Sequence, residues 1–354
     1  MSSAKVTYKD GENMGMTERK KQILAAVIER YIKTGEPVGS KMLLESSDIS
    51  VSSATVRNEM AELAEMGYLE QPHTSSGRIP TQKGYRYYVD ELMCERSLEE
   101  EQRRRIDMML GTHFGDPEKL LKEAAAILAD VTDCAVVTTT PTSAGASIRK
   151  VELVPVSRRT AIVVMLTSSG ILKNKVCRTD TDITEEIVQI FYKMAAEKFI
   201  GKPLKSMADI VLQSLVVSLG EYALAMSPIV VALSDLAQEA MKADIVLGGQ
   251  ENLFNNKEIS SDVFGIMEFL SRRDTLLNVL SGTNNGLNVY IGKENPFTPL
   301  QYSSMIVSPY TVSDTLGGAF GIIGPTRMDY ARLVPSVKYL TKLVGEIISA
   351  ERDE

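Results

Sequence analysis

The sequence predicts a multidomain protein of mixed α+β class that begins with a winged helix-turn-helix. In the first 93 residues, apolar side chains recur at helical spacing in three segments, and a hairpin with a Gly-Arg tip follows them. Apart from this hairpin, strand-like runs begin after residue 131 and return near the end of the chain. A helical stretch separates the two groups of strands, and 354 residues are enough for two or three domains.

The first two helices are predicted at residues 18–33 and 41–46, and the third, at residues 52–66, organises the N-terminal part. Its apolar positions recur on one face and end at a glycine stop: Val56, Met60, Leu63 and Gly67. Arginine makes paired contacts to guanine and asparagine to adenine, so such a helix suits a major groove. We expect four outward side chains to read bases: Ser53, Thr55, Arg57 and Asn58.

A short hairpin after this helix predicts the wing, with strands around Tyr68-Leu69 and Ile79-Pro80 and a polar tip between them. Hydroxyl and cationic side chains hold phosphates, and an arginine suits a minor groove. The residues expected to contact the DNA backbone from the helix start and the wing are Lys41, Ser52, His73, Thr74, Ser75, Ser76, Arg78, Lys83 and Arg86.

Plainer interpretations exist for both features. An amphipathic helix taken alone is more often an ordinary surface helix, and a polar hairpin tip is often an exposed loop. The order of three helices, a tight turn and a hairpin favours the DNA-binding interpretation.

The rest of the chain is predicted in order as a helical connector at residues 94–130 and then strands. The blocks 99–101 and 103–105 place Glu four residues before Arg, which favours a solvated helix face over a second DNA patch. Four runs predict an antiparallel meander, at residues 135–139, 149–156, 160–166 and 170–177. Further strands are expected at 287–291, 302–307 and 315–323, before a last helix from Thr326 to about Ser349 that Pro335 should kink or split.

Residues from 183 to about 241 are predicted to be helical, with breaks at Gly201-Lys202-Pro203 and Ser227-Pro228. They form either the covering layer of one large α/β domain or an inserted domain that buries apolar surface against a second subunit. No apolar run is long enough to cross a bilayer, because Glu221 and Asp235 interrupt the pattern.

Composition narrows the function classes. A net charge of −7 excludes a generally basic nucleic-acid coat, so DNA contact must come from a local arrangement of cations. Three scattered cysteines predict reduced thiols in a cytoplasm, and two histidines exclude a multi-histidine metal centre. The glycines near residues 317–324 lack phosphate-loop spacing and no Ser-His-Asp or Cys-His arrangement stands out, so we expect no enzyme, cofactor or metal. Residues 1–15 are polar, without a secretory signal, and are expected to be a disordered tail or an over-long start.

Segments at residues 36–41, 53–60, 67–69, 72–81, 84–90 and 321–330 resemble the bacterial HrcA family of heat-inducible transcription repressors. The run Pro-His-Thr-Ser-Ser-Gly-Arg at 72–78 is strongly specific, whereas the helix-turn-helix pattern alone is weaker evidence. Ala64 and Pro335 depart from the family pattern and concern only local packing.

This resemblance implies a winged helix at residues 16–93, a GAF-like α/β domain at 131–182 and 250–354, and an inserted, mostly helical dimerisation domain at 183–249. It also implies a cytoplasmic homodimer, associated with the nucleoid when bound to an inverted-repeat operator in double-stranded DNA. Such a repressor would act on chaperonin and DnaK-type operons, be kept active by the GroE chaperonin and be released on heat stress. The alternative is a winged-helix regulator gated by a small effector bound to the β domain.

Overall fold

The computed structural model describes residues 16–46, 51–73, 76–110, 117–141, 146–211, 222–255, 259, 263–281, 286–313 and 316–353. Contacts divide the chain into two units. Unit 1 comprises Met1–Thr138, Ile245–Tyr310 and Ala319–Val344, and unit 2 comprises Thr139–Asp244, Thr311–Gly318 and Gly345–Glu354. Both units mix helices with sheets, so the predicted multidomain α+β class is confirmed.

Unit 1 begins with the predicted winged helix. Its helices are α1 (Glu18–Thr34), α2 (Ser40–Ser46) and α3 (Ser53–Glu65), and its wing strands are β1 (Leu69–Glu70) and β2 (Ile79–Pro80). Helix α4 (Gln82–Tyr87) follows and continues as one π-helical turn, Tyr88–Leu92. Thr17, Ser52 and Thr81 cap α1, α3 and α4 by accepting a hydrogen bond from a backbone N–H in the first turn. Each helix therefore starts at a hydroxyl residue that the sequence supplies.

The connector contains α5 (Glu100–Leu110) and α6 (Pro117–Thr132). Its arginine block is occupied by contacts within the protein. Arg104 pairs with Glu100 at 2.7 Å, Arg105 with Asp130 at 2.8 Å, and the Arg103 guanidinium lies 5.4 Å from the centre of the Tyr339 ring. This supports the interpretation of the block as a solvated helix face.

A five-stranded sheet forms the centre of the rest of unit 1. Its strands are β3 (Ala135–Thr139), β7 (Ile245–Gly248), β8 (Asn288–Ile291), β9 (Ser303–Ser313) and β10 (Leu316–Pro325), in the order β7-β3-β10-β9-β8. Strand β3 pairs antiparallel with β10, with Val137 opposite Gly321. The first strand of this sheet thus pairs with one that lies more than 180 residues later.

Helices cover both faces of the five-stranded sheet. On one face, α10 (Val263–Ser271) and α11 (Arg273–Ser281), with the short α9 (Asn252–Asn255) nearby in sequence, share a buried cluster with Met305 and Val307. On the other face, Ser308 hydrogen-bonds Thr341 of α12 (Tyr330–Asp353) at 3.3 Å. Alternate residues of β9 therefore point to opposite helical layers.

Pro335 lies inside α12, which remains a single helix, so of the predicted kink or split the split is wrong. Proline has no N–H to donate to the carbonyl of Ala331, one turn earlier. The backbone N–H of Arg96 donates to that carbonyl at 2.9 Å instead. The same tolerance applies to Pro228, which lies within one continuous helix rather than at a break.

Unit 2 contains a separate three-stranded antiparallel sheet of β4 (Ile148–Ser157), β5 (Thr160–Thr167) and β6 (Leu172–Arg178), in the order β4-β5-β6. Helices α7 (Glu185–Met194) and α8 (Ala223–Ala240) pack on its inner face around Val163, Phe191 and Leu233, all fully buried. Lys175 of β6 pairs with Asp235 of α8 at 2.8 Å. The Tyr192 hydroxyl of α7 accepts a hydrogen bond from the Leu153 N–H, which occupies part of the edge of β4.

The predicted four-stranded meander is wrong. All seven predicted strand segments are present, but of the four assigned to the meander β3 belongs to the five-stranded sheet, whereas β4, β5 and β6 form their own. Unit 2 starts at Thr139, so the insertion between β3 and β7 includes these three strands and is wider than the predicted 183–249. The strand β7 falls in the region predicted to be helical or connecting, and was missed.

Candidate nucleic-acid interface

Helix α3 is held in place by its apolar face. Val56 and Leu63 are fully buried and Met60 nearly so, and Gly67 follows with a φ of +79°. The Ser53 hydroxyl lies 3.0 Å from that of Ser40 at the start of α2. This contact joins the two helices of the helix-turn-helix, so α3 has a fixed angle to α2.

The outward face of α3 carries Arg57 and Asn58, both exposed. Neither side chain forms a hydrogen bond or ion pair within the described part of the chain. The hydroxyls of Ser53 and Thr55 are less available, because one contacts Ser40 and the other lies 2.9 Å from the Ser52 hydroxyl. Of the four predicted base readers, two therefore point outward with no partner among the residues that the structure describes.

Ala54 also lies on this outward face and is exposed. It precedes Asn58 by four residues, so the two side chains lie one above the other on the helix. Ala54 is not among the four predicted base readers, which are all polar. Its methyl group suits apolar contact with the C5-methyl of thymine.

Two of the three acidic residues of α3 are paired with α1. Glu59 is buried and accepts a hydrogen bond from Arg19 Nε at 2.7 Å, and Glu62 lies 2.7 Å from Lys20 Nζ. These two ion pairs offset the negative charge on the side of α3 that faces α1. The N-terminal half of α3 is left with the Arg57 cation, a local positive charge in a chain whose net charge is −7.

The wing is built on close backbone contact. Strands β1 and β2 pair, with Leu69 opposite Pro80, and Val38 and Arg78 exchange two backbone hydrogen bonds of 2.9 Å. A Cβ at Gly77 would lie only 2.4 Å from the Val38 carbonyl oxygen, so this approach requires glycine. His73 is exposed in a turn closed by the Ser76 hydroxyl, which donates to the His73 carbonyl at 2.6 Å.

Five further residues predicted to contact the DNA backbone fall into three groups by their position in the structure. Lys41 and Ser52 are exposed near the starts of α2 and α3, where a phosphate could approach. Thr74 and Ser75 lie outside the described residues. Lys83 is exposed, but its ammonium group lies 3.3 Å from the Met66 carbonyl oxygen and 4.7 Å from the centre of the Tyr68 ring, so it also stabilises the C-terminal end of α3.

Arg86 is not on this surface. Its guanidinium group binds both carboxylate oxygens of Glu294 and donates to the Val289 carbonyl at 2.6 Å. Its Nη1 also lies 3.2 Å from Asp90. The prediction that Arg86 contacts the DNA backbone is therefore at odds with its position, because the side chain points into the junction with the five-stranded sheet.

The two sequence segments at 84–90 and 321–330 meet at this junction. The rings of Tyr85 and Tyr330 lie 6.1 Å apart, and Arg327 donates to the Ile32 carbonyl at 2.8 Å. Tyr330 is fully buried, and this burial raises the pKa of its hydroxyl. The protonated hydroxyl donates to the Thr326 carbonyl at 2.7 Å. These contacts explain physically why distinctive residues occur at both ends of the chain.

Two family models match this chain. Residues 15–91 match the family model described as a winged helix-turn-helix transcription repressor, HrcA DNA-binding, and residues 118–334 match that of the HrcA protein C-terminal domain. The second match alone covers more than half of the chain.

The chain belongs to the HrcA family.

Curated relatives extend the similarity over nearly the full length. The heat-inducible transcription repressor HrcA of Acetivibrio thermocellus is 34% identical over 339 residues, which cover 94% of this chain and 96% of that protein. The repressor of the same name from Caldanaerobacter subterraneus is also 34% identical, over 95% of this chain and 98% of its own. A crystal structure described as that of a hypothetical protein superposes with a TM-score of 0.63 at 25% identity, covering 95% of this chain and 99% of that one.

Membership in the HrcA family identifies the chain as a DNA-binding transcription repressor, a regulator rather than an enzyme. The winged helix matched at residues 15–91 is its DNA-binding part. Across the described residues, no helix has both the length and the apolar character needed to cross a membrane.

Proposed function

We propose that this repressor binds an inverted-repeat operator as a homodimer, with one α3 helix in each of two major grooves. The observation that carries the proposal is the outward face of α3, where Arg57 and Asn58 are exposed and the neighbouring acids Glu59 and Glu62 are paired with α1. Two-fold symmetry of the protein matches two-fold symmetry of the operator, with half-sites separated by whole helical turns.

The outer face of the three-stranded sheet supports the dimer. Aliphatic side chains stand in neighbouring rows on β4, β5 and β6, with Val154 opposite Ile162 and Ile162 opposite Val176. Val154, Leu172 and Val176 are 47%, 59% and 62% exposed. Contiguous apolar surface of this kind marks an interaction site, and a second copy of the same face would bury it symmetrically. The proposed dimer therefore has the outer sheet face at its apolar centre.

The proposed targets are chaperonin and DnaK-type operons, in line with the names of the heat-inducible relatives. The proposed partner is the GroE chaperonin, which would keep the repressor in its DNA-competent form until unfolded proteins occupy it under heat stress. Such feedback needs an active state whose population depends on a helper. The apolar outer face of the sheet in unit 2 is a surface that a chaperonin could hold in the monomer. The protein would act in the cytoplasm, on the nucleoid.

A gel-shift titration tests the DNA part. The probe is an inverted-repeat duplex from ahead of a chaperonin operon, compared with a scrambled duplex, with and without purified GroE chaperonin. We expect specific binding to the inverted repeat that the chaperonin strengthens. Equal binding to both duplexes would reduce the protein to a generic DNA-binding regulator, and binding that persists unchanged through heating without chaperonin would remove the feedback.

Sedimentation of two matched variants tests the dimer. Val176→Asp places a charge on the outer sheet face, and Met108→Asp makes the same change at another exposed apolar residue, 72% exposed on α5. We expect only Val176→Asp to give monomers, because a buried unpaired charge at an interface costs several kcal/mol. Dimers that persist in both variants would mean that this face is not the interface.

A small-effector-gated regulator is the second candidate, supported by one cavity in unit 1. It has a volume of about 250 Å³ and lies between α10, the start of α11 and the loop at residues 296–299, with Phe269, Arg272 and Phe297 in its wall. Ligand sites usually have about 300–1,000 Å³, so only a small molecule would fit. Operator binding by protein without any metabolite, strengthened by chaperonin alone, would argue against this candidate.

A further inference from the structure

An ion pair that is largely buried, unlike an ordinary surface ion pair, joins the winged helix to the five-stranded sheet. Arg86 of α4 and Glu294, which follows β8, are only 18% and 27% exposed as side chains. Arg86 Nε donates to one Glu294 oxygen at 3.0 Å, and Nη2 donates to the other oxygen and to the Val289 carbonyl. The planar guanidinium therefore meets a carboxylate and a strand carbonyl at once, which restricts its orientation.

Glu294 is itself held on the side of the sheet. Its Oε2 accepts a hydrogen bond from the Ile291 backbone N–H at 3.0 Å. One turn before Arg86, the Gln82 side chain accepts a hydrogen bond from the Lys293 backbone N–H at 3.1 Å. Helix α4 is thus fixed to β8 and the residues just after it at two points, one turn apart along the helix.

A second anchor lies on α1. Arg327, between β10 and α12, donates from Nη1 to the Ile32 carbonyl at 2.8 Å, which satisfies a carbonyl in the last turn of α1. Its guanidinium lies against Gly35, where an added Cβ would be 3.1 Å from Cζ. A cation at a helix C-terminus is favoured by the helix dipole.

Two anchors on different helices prevent rotation as well as separation. Arg86 alone would leave the winged helix able to turn about α4, and Arg327 alone would leave it able to turn about the end of α1. Neither residue lies on the outward face of α3 that carries Arg57 and Asn58. Their position is explained by the orientation of the winged helix and not by contact with DNA.

We propose that Arg86 with Glu294, together with Arg327, are positioning residues that set the spacing between the two half-sites that the repressor accepts. This inference rests on the proposed function, a homodimer on an inverted repeat. Once one winged helix of the dimer is bound, a rigid junction holds the other at a high effective concentration near the second half-site. This applies only when the spacer between the half-sites matches the distance between the two winged helices. A loosened junction lowers that concentration and tolerates other spacers.

The test compares three duplexes: the inverted repeat with its natural spacer, the same repeat with the spacer lengthened by about half a helical turn, roughly 5 bp, and a single half-site. Fluorescence anisotropy gives the dissociation constant of the full-length protein for each. The variants are Arg86→Gln, Glu294→Gln and Arg327→Gln. The matched control is Arg104→Gln, which removes an equally charged residue from an exposed pair with Glu100 on α5.

We expect the unaltered protein and the control to prefer the natural spacer by about a hundredfold, within the usual range of avidity gains. In each anchor variant that preference falls by about tenfold or more, while half-site affinity stays within about twofold of the unaltered protein. Arg86→Lys keeps the charge but loses the paired contact, so it should give an intermediate spacer preference.

Two outcomes would overturn the inference. If half-site affinity falls in parallel with affinity for the full repeat, the anchors support the winged helix fold rather than its orientation. If the anchor variants keep the full spacer preference, the junction does not set the spacing. Failure of the unaltered protein to prefer any inverted repeat over scrambled DNA is a separate result and would instead refute the proposed function.

Discussion

Replacing Arg57 with alanine should weaken operator binding without weakening the fold. Arg57 is exposed on α3 and forms no internal hydrogen bond or ion pair among the described residues, so its truncation removes only contacts with DNA. A surface change of this kind alters stability by at most about 0.5 kcal/mol. A paired arginine contact to guanine discriminates by about 1–3 kcal/mol, which corresponds to about a 5- to 150-fold loss of affinity.

Lys41→Ala is the matched control for this change. It removes one exposed cation near the start of α2, where we expect contact with a phosphate. Its loss of affinity should be the same on every sequence and should reduce the slope of log affinity against log salt by about 0.9. Each variant therefore removes one positive charge. Arg57→Ala should change the preference for one base pair, whereas Lys41→Ala should change the salt dependence of binding.

The assay is anisotropy with the inverted repeat, each base pair of one half-site replaced in turn, and a scrambled duplex. The Arg57→Ala variant should lose its preference at one base pair and bind scrambled DNA almost as well as the unaltered protein does. Asn58→Ala should behave alike at a different, A·T base pair. Equal losses on operator and scrambled DNA would show that these residues hold phosphates, and the assignment of α3 as the reading helix would then be wrong.

Three further predictions follow from single positions. Replacing the thymine that Ala54 contacts by uracil should lower the affinity of the unaltered protein about threefold, which is about the contribution of one buried methyl group. The Ala54→Gly variant should bind both duplexes equally. If the variant still prefers thymine, Ala54 does not contact that methyl group. Gly77→Ala should lower the free energy of unfolding by about 1–3 kcal/mol because its Cβ would overlap a carbonyl oxygen, whereas Gly39→Ala, with open space around it, should be neutral in urea unfolding. Burial raises the pKa of Cys134 to about 12, so its thiol stays protonated below that pH. At pH ~8, near the ordinary thiol pKa, a thiol reagent should therefore label the exposed Cys94 in the native protein. The buried Cys134 should be labelled only after unfolding.

Local patterns in the sequence were sufficient to identify most elements. The apolar spacing of Val56, Met60 and Leu63 correctly predicted α3 and its buried face. All seven expected strands are present, and the hydroxyls of Ser52 and Thr81 cap α3 and α4. These features depend on residues within a few positions of one another, because side-chain periodicity and capping act over a single turn or a single pleat.

Side-chain roles were less predictable than elements. The sequence correctly indicated that Arg57 and Asn58 point outward, but it could not show that the Ser53 hydroxyl contacts Ser40 or that Arg86 contacts Glu294. Both are polar residues on amphipathic helices, and periodicity gives the direction of a side chain without naming its partner. Arg86 and Glu294 are 208 residues apart, so no local signal connects them.

The sequence by itself determined that this protein carries a winged helix whose third helix buries one apolar face, followed by strands and helices in a known order. Only the tertiary structure decided how those strands divide into sheets, because β3 pairs with β10 and leaves β4, β5 and β6 to form their own sheet. It also placed Arg86 against Glu294 in the junction and left Arg57 exposed on α3. The physical reason is the same in both cases: strand pairing and ion pairing between distant segments depend on the packing of the whole unit, which the periodicity of a short segment does not contain.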